Sequence, residues 1–243
     1  VTVTGSQTNV GSSDNVASDA KLMRGDRDVT ANYAIEYLPG TLTVTPVTDK
    51  VTVTITGYTD TVTYNGAEQS VTGYETAISN PLYTADDFAF SGTDTAKGTD
   101  ADTYKMNLTA AQFENISQNF TNVEFTVTDG WLKIDPMALT ITADSGSKVY
   151  DGTALTKNSY TSTDPAKGDT VASVTLTGSQ TNVGSSENVA SDAKLMRGDR
   201  DVTANYAITY EKGTLAVTPV TDKVTVTITG NKSTVTYNGA EQS

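Results

Sequence analysis

The chain contains no cysteine and no histidine in 243 residues. Their absence excludes disulfides, thiol nucleophiles, Cys/His zinc sites and every Ser-His-Asp or Cys-His catalytic arrangement. Positive charge is also scarce. Sixteen Lys and Arg face 29 Asp and Glu, for a formal net charge of −13. Phosphate recognition needs cationic side chains, so no nucleic-acid partner is expected, and anionic lipid is disfavoured. No apolar run approaches the length of a membrane span, so no membrane insertion is expected. No signal peptide is visible. The first residue is Val1 rather than an initiator Met, so the chain reads as a section of a longer protein whose targeting signals lie outside it. An acidic, Thr-rich, weakly hydrophobic chain repels its own copies, which suits an exposed extracellular surface.

What the chain does have is repetition. Residues 1–70 match residues 174–243 at a constant offset, with nine differences in seventy positions. Leu38-Pro39 faces Glu211-Lys212, and Tyr58-Thr59-Asp60 faces Asn231-Lys232-Ser233. Both clusters fall where turns are expected, so the strand segments hardly change. Two related designs alternate inside each period. Residues 1–46 are the C-terminal part of a second-type repeat, 47–136 a complete first-type repeat, 137–219 a complete second-type repeat, and 220–243 the opening of another first-type repeat.

Both designs open and close alike. VTITGYTDTVTYNGAEQ (52–68) stands beside LTITADSGSKVYDGTAL (139–155). Each reads as a β-hairpin leading into an Asn-Gly or Asp-Gly turn that supplies positive φ. The closing stretches NYAIEYLPGTLTVTP (32–46), NVEFTVTDGWLKIDP (122–136) and NYAITYEKGTLAVTP (205–219) alternate with period two around a short turn ending in Gly. They too read as hairpins, with the turn Gly in the left-handed region and the last Pro stopping the sheet. The pattern predicts burial of Tyr206, Ile208, Leu215 and Val217, and of Phe125, Val127, Leu132 and Ile134. Tyr104, Met106 and Leu108 read as a strand. Thr109 to Gln112 fits a capping box opening a short helix that buries Phe113 and Ile116. The segments between repeats lack Gly/Ser runs, which predicts short, stiff connections.

Three features are candidate ligand sites. Arg24-Gly25-Asp26 and Arg197-Gly198-Asp199 spell the integrin tripeptide in polar turns, where Gly otherwise serves the turn and the charges serve solubility. Trp131, the single Trp, is a candidate sugar-stacking platform or a cover for the sheet. Acidic turns at Asp26, Asp28, Asp86, Asp87, Asp100, Asp102, Asp199 and Asp201 have no spacing that makes a calcium loop, so no metal site is assigned. No pair of carboxylates is placed for glycosidase chemistry, and neither catalytic residues nor a cofactor is expected.

VYDGTAL, GD-x-V, GSQTNVG, DVTANYAITY and GTLAVTP resemble the mostly-β-grasp (MBG-type) tandem repeats of Gram-positive gut bacterial cell-surface adhesins. VTYNGAEQSVTGYE, ISNPLYTADDFAFSG, GTDADTYKMNLTAAQF and NVEFTVTDGWLKI resemble a companion repeat of giant surface proteins of gut Firmicutes. Asp102 departs from the pattern, which has Gly before Thr-Tyr. The resemblance spans essentially the whole chain. It implies a mainly β fold with minor α content, β-grasp-like domains on a secreted, wall-attached protein, and no catalytic residues. The stiff connections add the expectation that these domains stack in an elongated rod. The expected role is a stalk or fibre segment of an adhesin at the cell wall or cell surface. Its partners would be neighbouring repeats of the same protein, head to tail. The alternative is a module binding a host surface protein or glycan through the Arg-Gly-Asp turns or Trp131.

Overall fold

The computed structural model describes residues 1–241; Gln242 and Ser243, the last two of the 220–243 repeat opening, lie outside it. The chain divides into two compact units. The first comprises Val1–Leu139, Asp164–Ala172 and Lys194–Ala207; the second comprises Thr140–Thr163, Ser173–Ala193 and the chain from Ile208 on. The fold is mainly β, with four three-residue 3-10 turns and no α-helix among the described residues.

The first unit is built on the VTVTITG strand, Val51–Gly57. Its alternation sends Val51, Val53 and Ile55 inward, each at most 1 % exposed, and its threonines outward. Burying a side chain of this size stabilises by about 1.5–3 kcal/mol. The strand lies between Val123–Thr128, to which it is parallel, and Tyr74–Ile78, to which it is antiparallel. Tyr83, Phe88, Phe113 and Phe120 pack against the Val-Val-Ile face, ringed by Tyr74, Phe90 and Phe125. Some rings meet edge to face, as in Tyr83–Phe120 at 5.1 Å and Tyr74–Phe113 at 5.4 Å, and others stack, as in Phe90–Phe113 at 4.8 Å. A second sheet has Trp131–Asp135 at its centre, between Thr103–Lys105 and Thr59–Thr63, with Leu132 and Ile134 buried.

The alternation expected from sequence is present, but the pairing differs. The stretches expected to be hairpins are not hairpins. Val51–Gly57 and Thr59–Thr63 lie in different sheets, and so do Val123–Thr128 and Trp131–Asp135. Each stretch turns a corner, and opening and closing stretches pair with each other in parallel. The turn glycines accordingly do not have left-handed φ; Gly130 and Gly213 are absent from the positive-φ residues. They are glycines because two corners cross there. A Cβ on Gly130 would sit 2.5 Å from the Tyr58 carbonyl oxygen, and one on Gly213 2.5 Å from that of Asp144. The Asn-Gly and Asp-Gly turns do use positive φ, 81° at Gly66 and 83° at Gly152.

The expected helix is only a 3-10 turn, Ala110–Gln112, although its Thr109/Gln112 capping box forms. Phe113 then enters a strand and is buried, while Ile116 beyond that strand is 57 % exposed. The expected strand through Leu108 ends at Lys105, because Asn107 adopts φ 62°. Met106 and Leu108 are buried all the same.

Residues 137–218 carry the same design. Strand order is Tyr160–Ser162, Met137–Ala143, Tyr206–Glu211 in one sheet, and Gly146–Val149, Gly213–Thr218, Gly184–Arg197, Thr170–Thr177 in the other. Ile141, Ala143, Leu215 and Val217 are buried. Asn188 is buried with its amide donating to the carbonyls of Asp144 (2.9 Å) and Lys157 (3.0 Å). Ile208, Phe125 and Val127, expected in the core, are only half-buried. They sit on Tyr206–Glu211 and Val123–Thr128, which are edge strands with cover on one side only.

The near-identical repeats differ in structure. Tyr206–Glu211 is a strand beside Met137–Ala143, whereas 33–39 forms none. Leu42 and Val44 are half-buried where Leu215 and Val217 are at most 2 % exposed. Residues 220–241 form no strand, and Val224, Val226 and Ile228 are 75 %, 72 % and 90 % exposed. Strand state here is set by the pairing partner, not by local propensity.

Candidate functional site: a buried aspartate joint

The densest polar cluster lies in the first unit, where residues 164–172 and 194–207 meet the 47–136 repeat. At its centre is Asp169, whose side chain is fully buried. The loop presents it through Gly168 at φ 91° and a backbone bond from Asp169 N–H to the Ala166 carbonyl. A buried carboxylate costs several kcal/mol unless fully paired, of order ~3–5 when its partner is removed. Asp169 has three donors. Tyr64 and Tyr206 donate hydroxyls to Oδ2 at 2.9 and 2.6 Å, and Arg197 donates Nε–H to Oδ1 at 2.6 Å.

Each donor is itself fixed. Tyr64 follows the Thr59–Thr63 strand, anchored by its N–H on the Asp135 carbonyl at 2.9 Å. Its ring meets Tyr206 edge to face at 5.5 Å, with the Arg197 guanidinium 5.9 Å from its centroid. The Tyr206 hydroxyl accepts the Ala166 N–H at 3.0 Å. Arg197 also donates to the carbonyls of Gly66 and, at 3.1 Å, Lys167. Desolvation first, and then the bond to Asp169, push the Tyr64 and Tyr206 hydroxyls above the ordinary tyrosine range, so both stay protonated donors. Burial works most strongly against the Arg197 cation, but the bond to Asp169 and the attraction of Tyr64, Asp169 and Tyr206 together outweigh it and hold the pKa above the ordinary arginine value.

A second row flanks this centre. Buried Asn205 donates its amide to Asp100 at 2.9 Å and accepts the Ala101 N–H at 2.8 Å. Arg200 closes a salt bridge to the same Asp100. The Asn205 bond, against partial desolvation and with help from Arg200, holds the Asp100 carboxyl below the usual carboxylate range. So Tyr64, Gly66, Asp100 and Ala101 of one repeat grip Asp169, Arg197, Arg200, Asn205 and Tyr206 of the next.

The contact between residues 1–46 and the 47–136 repeat uses neutral groups. Val10 N–H donates to the Asn119 side chain at 2.8 Å, and the Asn119 amide donates to Asn9 at 3.2 Å. Within the 47–136 repeat, Val47 bridges to Phe120 next to this contact. Thr8, Val10, Val44, Val47, Leu82 and Phe120 line a cleft of about 410 Å³ beside it.

The Arg-Gly-Asp turns have different fates. Both are tips of two-residue ribbons, with Gly25 at φ 58° and Gly198 at φ 57°. Arg197 is held in the joint, with its side chain 27 % exposed, and is not offered as a free recognition group. Arg24, Gly25 and Asp26 are exposed. Trp131 is half-buried in a central strand, between Thr59 and Lys105, and does not reach the joint. The acidic turns do local work. Asp28 and Asp201 accept from Thr30 and Thr203, and Asp87 completes a capping box with Thr84. No group of three or more acidic side chains could hold a metal among the described residues. The sequence reading did not single out Tyr64, Asp169, Asn205 or Tyr206 as a site. The visible signal was the Gly168-Asp169 pair upstream of the ribbon arginine, but the partners of Arg197 are 28 and 131 positions away.

Comparison with known proteins gives a consistent result. Residues 50–136 match the MBG domain, and residues 139–216 match the MBG domain of YGX type. No curated protein and no solved structure matches the chain. Domains of this kind occur as repeats and in surface proteins, typically as non-catalytic structural or binding modules. With two of them in tandem over most of its length, the chain belongs to the MBG-domain family.

Proposed function

We propose that the chain is a stalk or fibre segment of a bacterial surface adhesin, secreted and held at the cell wall or cell surface, presenting a distal adhesive region. The observation that supports this reading is the Asp169 joint. A buried carboxylate with three donors from two repeats has one satisfied geometry, so the adjoining repeats resist bending there. Stalk function needs length and limited flexibility, which repeated domains with fixed joints supply. The test is small-angle scattering of residues 47–219. A compact body of that length has a radius of gyration of about 16 Å. The stalk reading requires a clearly larger value and an anisotropic profile. A compact, isotropic profile refutes it.

A second reading, binding to a host surface protein, is favoured by the exposed Arg24-Gly25-Asp26 tip alone. Loss of cell attachment to immobilised protein on Asp26→Ala, with folding intact, would put that reading in place of the stalk.

A further inference from the structure

Asn65 is bracketed by two groups bound to the same partner pair. Before it, the Tyr64 hydroxyl donates to Asp169 at 2.9 Å. After it, the Gly66 carbonyl accepts from Arg197, which is itself bonded to Asp169 at 2.6 Å. The spacing between residues 64 and 66 is therefore fixed from outside the turn. Asn65 is exposed, and its side-chain Oδ1 accepts the Ala67 N–H at 2.9 Å. Gly66 adopts φ 81°, and a Cβ there would overlap the Arg197 guanidinium. An asparagine followed by glycine is open to attack by its own backbone, because no side chain shields the next nitrogen as it approaches the amide carbon.

We propose that Asn65-Gly66 is a deamidation site gated by the Asp169 joint. The Gly66 nitrogen attacks Cγ of Asn65, and an N–C bond forms. The side-chain NH2 takes the Gly66 amide proton and leaves as ammonia, and a succinimide results. Solvent water then adds to one of the ring carbonyls and opens the ring to aspartate or isoaspartate. The Ala67 N–H already points at Oδ1, where negative charge develops during the attack. The attack requires the Gly66 nitrogen to swing onto the Asn65 side chain, and the Arg197 bond holds Gly66 against that swing. A closed joint spares the site, and an open joint exposes it. Isoaspartate routes the main chain through the side-chain carbon and lengthens it by one methylene between Tyr64 and Gly66. Those two groups then no longer fit Asp169 and Arg197 together, which leaves a buried carboxylate short of donors. Loss of ammonia runs one way, so the site records the time the joint has spent open. The inference rests on the Asp169 joint and not on the stalk reading; a chain that scatters as a compact body would still age at Asn65.

The test incubates the whole chain in warm neutral buffer and follows Asn65 by peptide mass spectrometry, with isoaspartate separated from aspartate by chromatography. Conversion should be several-fold slower in the native chain than in the same chain in urea. Arg197→Ala should bring the native rate close to the rate in urea, while protection of the Val53 amide shows that the 47–136 repeat stays folded. Should Val53 lose protection, Arg200→Ala takes its place; it loosens the second row of the joint without touching Gly66, and it should also speed conversion. Native chain enriched in isoaspartate should exchange its Ala166 and Asp169 amides faster than fresh chain. Asn65→Ser keeps an oxygen for the Ala67 N–H but cannot form the ring, so its joint amides should stay protected through the same incubation. Four results would overturn the proposal: equal conversion in native and urea-unfolded chain, a native rate unmoved by the arginine variant that keeps Val53 protected, an isoaspartate form whose joint amides are as protected as before, or an Asn65→Ser chain that loses protection at the pace of the parent.

Discussion

Arg197→Ala separates a role in the joint from a role in the tripeptide. The substitution removes one of three donors to Asp169 and leaves a fully buried carboxylate with two tyrosine hydroxyls. Breaking a buried ion pair from one side costs about 3–5 kcal/mol. The remaining donors, and the partial exposure of the arginine, place the expected loss near the lower figure. The chain has more than one repeat, so a single unfolding transition is not assured. Hydrogen exchange at the Ala166 and Asp169 amides reads the joint directly, because both bonds depend on the loop that Asp169 anchors. A loss of about 3 kcal/mol corresponds to exchange faster by about a hundredfold. The amide of Val53, in the core of the neighbouring repeat, should not change. The control is built into the sequence. Arg24→Ala makes the same change in the same local sequence, at an exposed position, and should stay within ~0.5 kcal/mol. The Asp169→Asn/Arg197→Met pair, which removes both charges, should be less damaging than Arg197→Ala alone. If Arg24→Ala and Arg197→Ala cost the same, or the loop amides remain protected, the joint is not held by this cluster.

Other positions test other parts of the argument. Ile55→Ala should cost about 2–5 kcal/mol in chemical denaturation, and Ile228→Ala, in the same local sequence, should be silent in dilute solution. Gly130→Ala should destabilise by about 1–3 kcal/mol through contact with Tyr58 and Met106, although its φ is ordinary. Asp100 has a folded pKa below its unfolded value of 3.8, so the unfolded chain binds more protons in the window between them. Its contribution is present above 3.8 and is lost as pH falls through the folded value. Asp100→Asn should flatten the acid limb of the stability profile and lower stability at neutral pH by the contribution that Asp100 makes there.

Much of the fold was legible because alternation is a local property. The inward residues of Val51–Gly57, Trp131–Asp135 and Gly213–Thr218 follow from period two alone. The pairing was not legible. A run of alternating residues, a Gly-containing turn and another run looks the same whether the chain folds back as a hairpin or turns a corner between sheets. What distinguishes the two here is a close crossing of Gly57 and Gly130, separated by more than seventy positions. The joint was illegible for a related reason. Arg197 and Asp199 carry equal weight in the sequence, yet only Arg197 has a buried carboxylate waiting for it. Its counterpart Arg24, in the same local sequence, is exposed. No property of the tripeptide could separate them.

The chain couples consecutive repeats by two chemistries in turn, a desolvated ionic knot at Asp169 and a pair of asparagine amides at Asn119. Couplings in series share the same tension, so extension goes first to whichever opens at lower force. The amide contact leaves no stranded charge when it opens, whereas the knot must strip an arginine from a carboxylate that has no water to replace it. Pulled from its ends, the chain would give first at the amide contact while the Asp169 coupling stays shut.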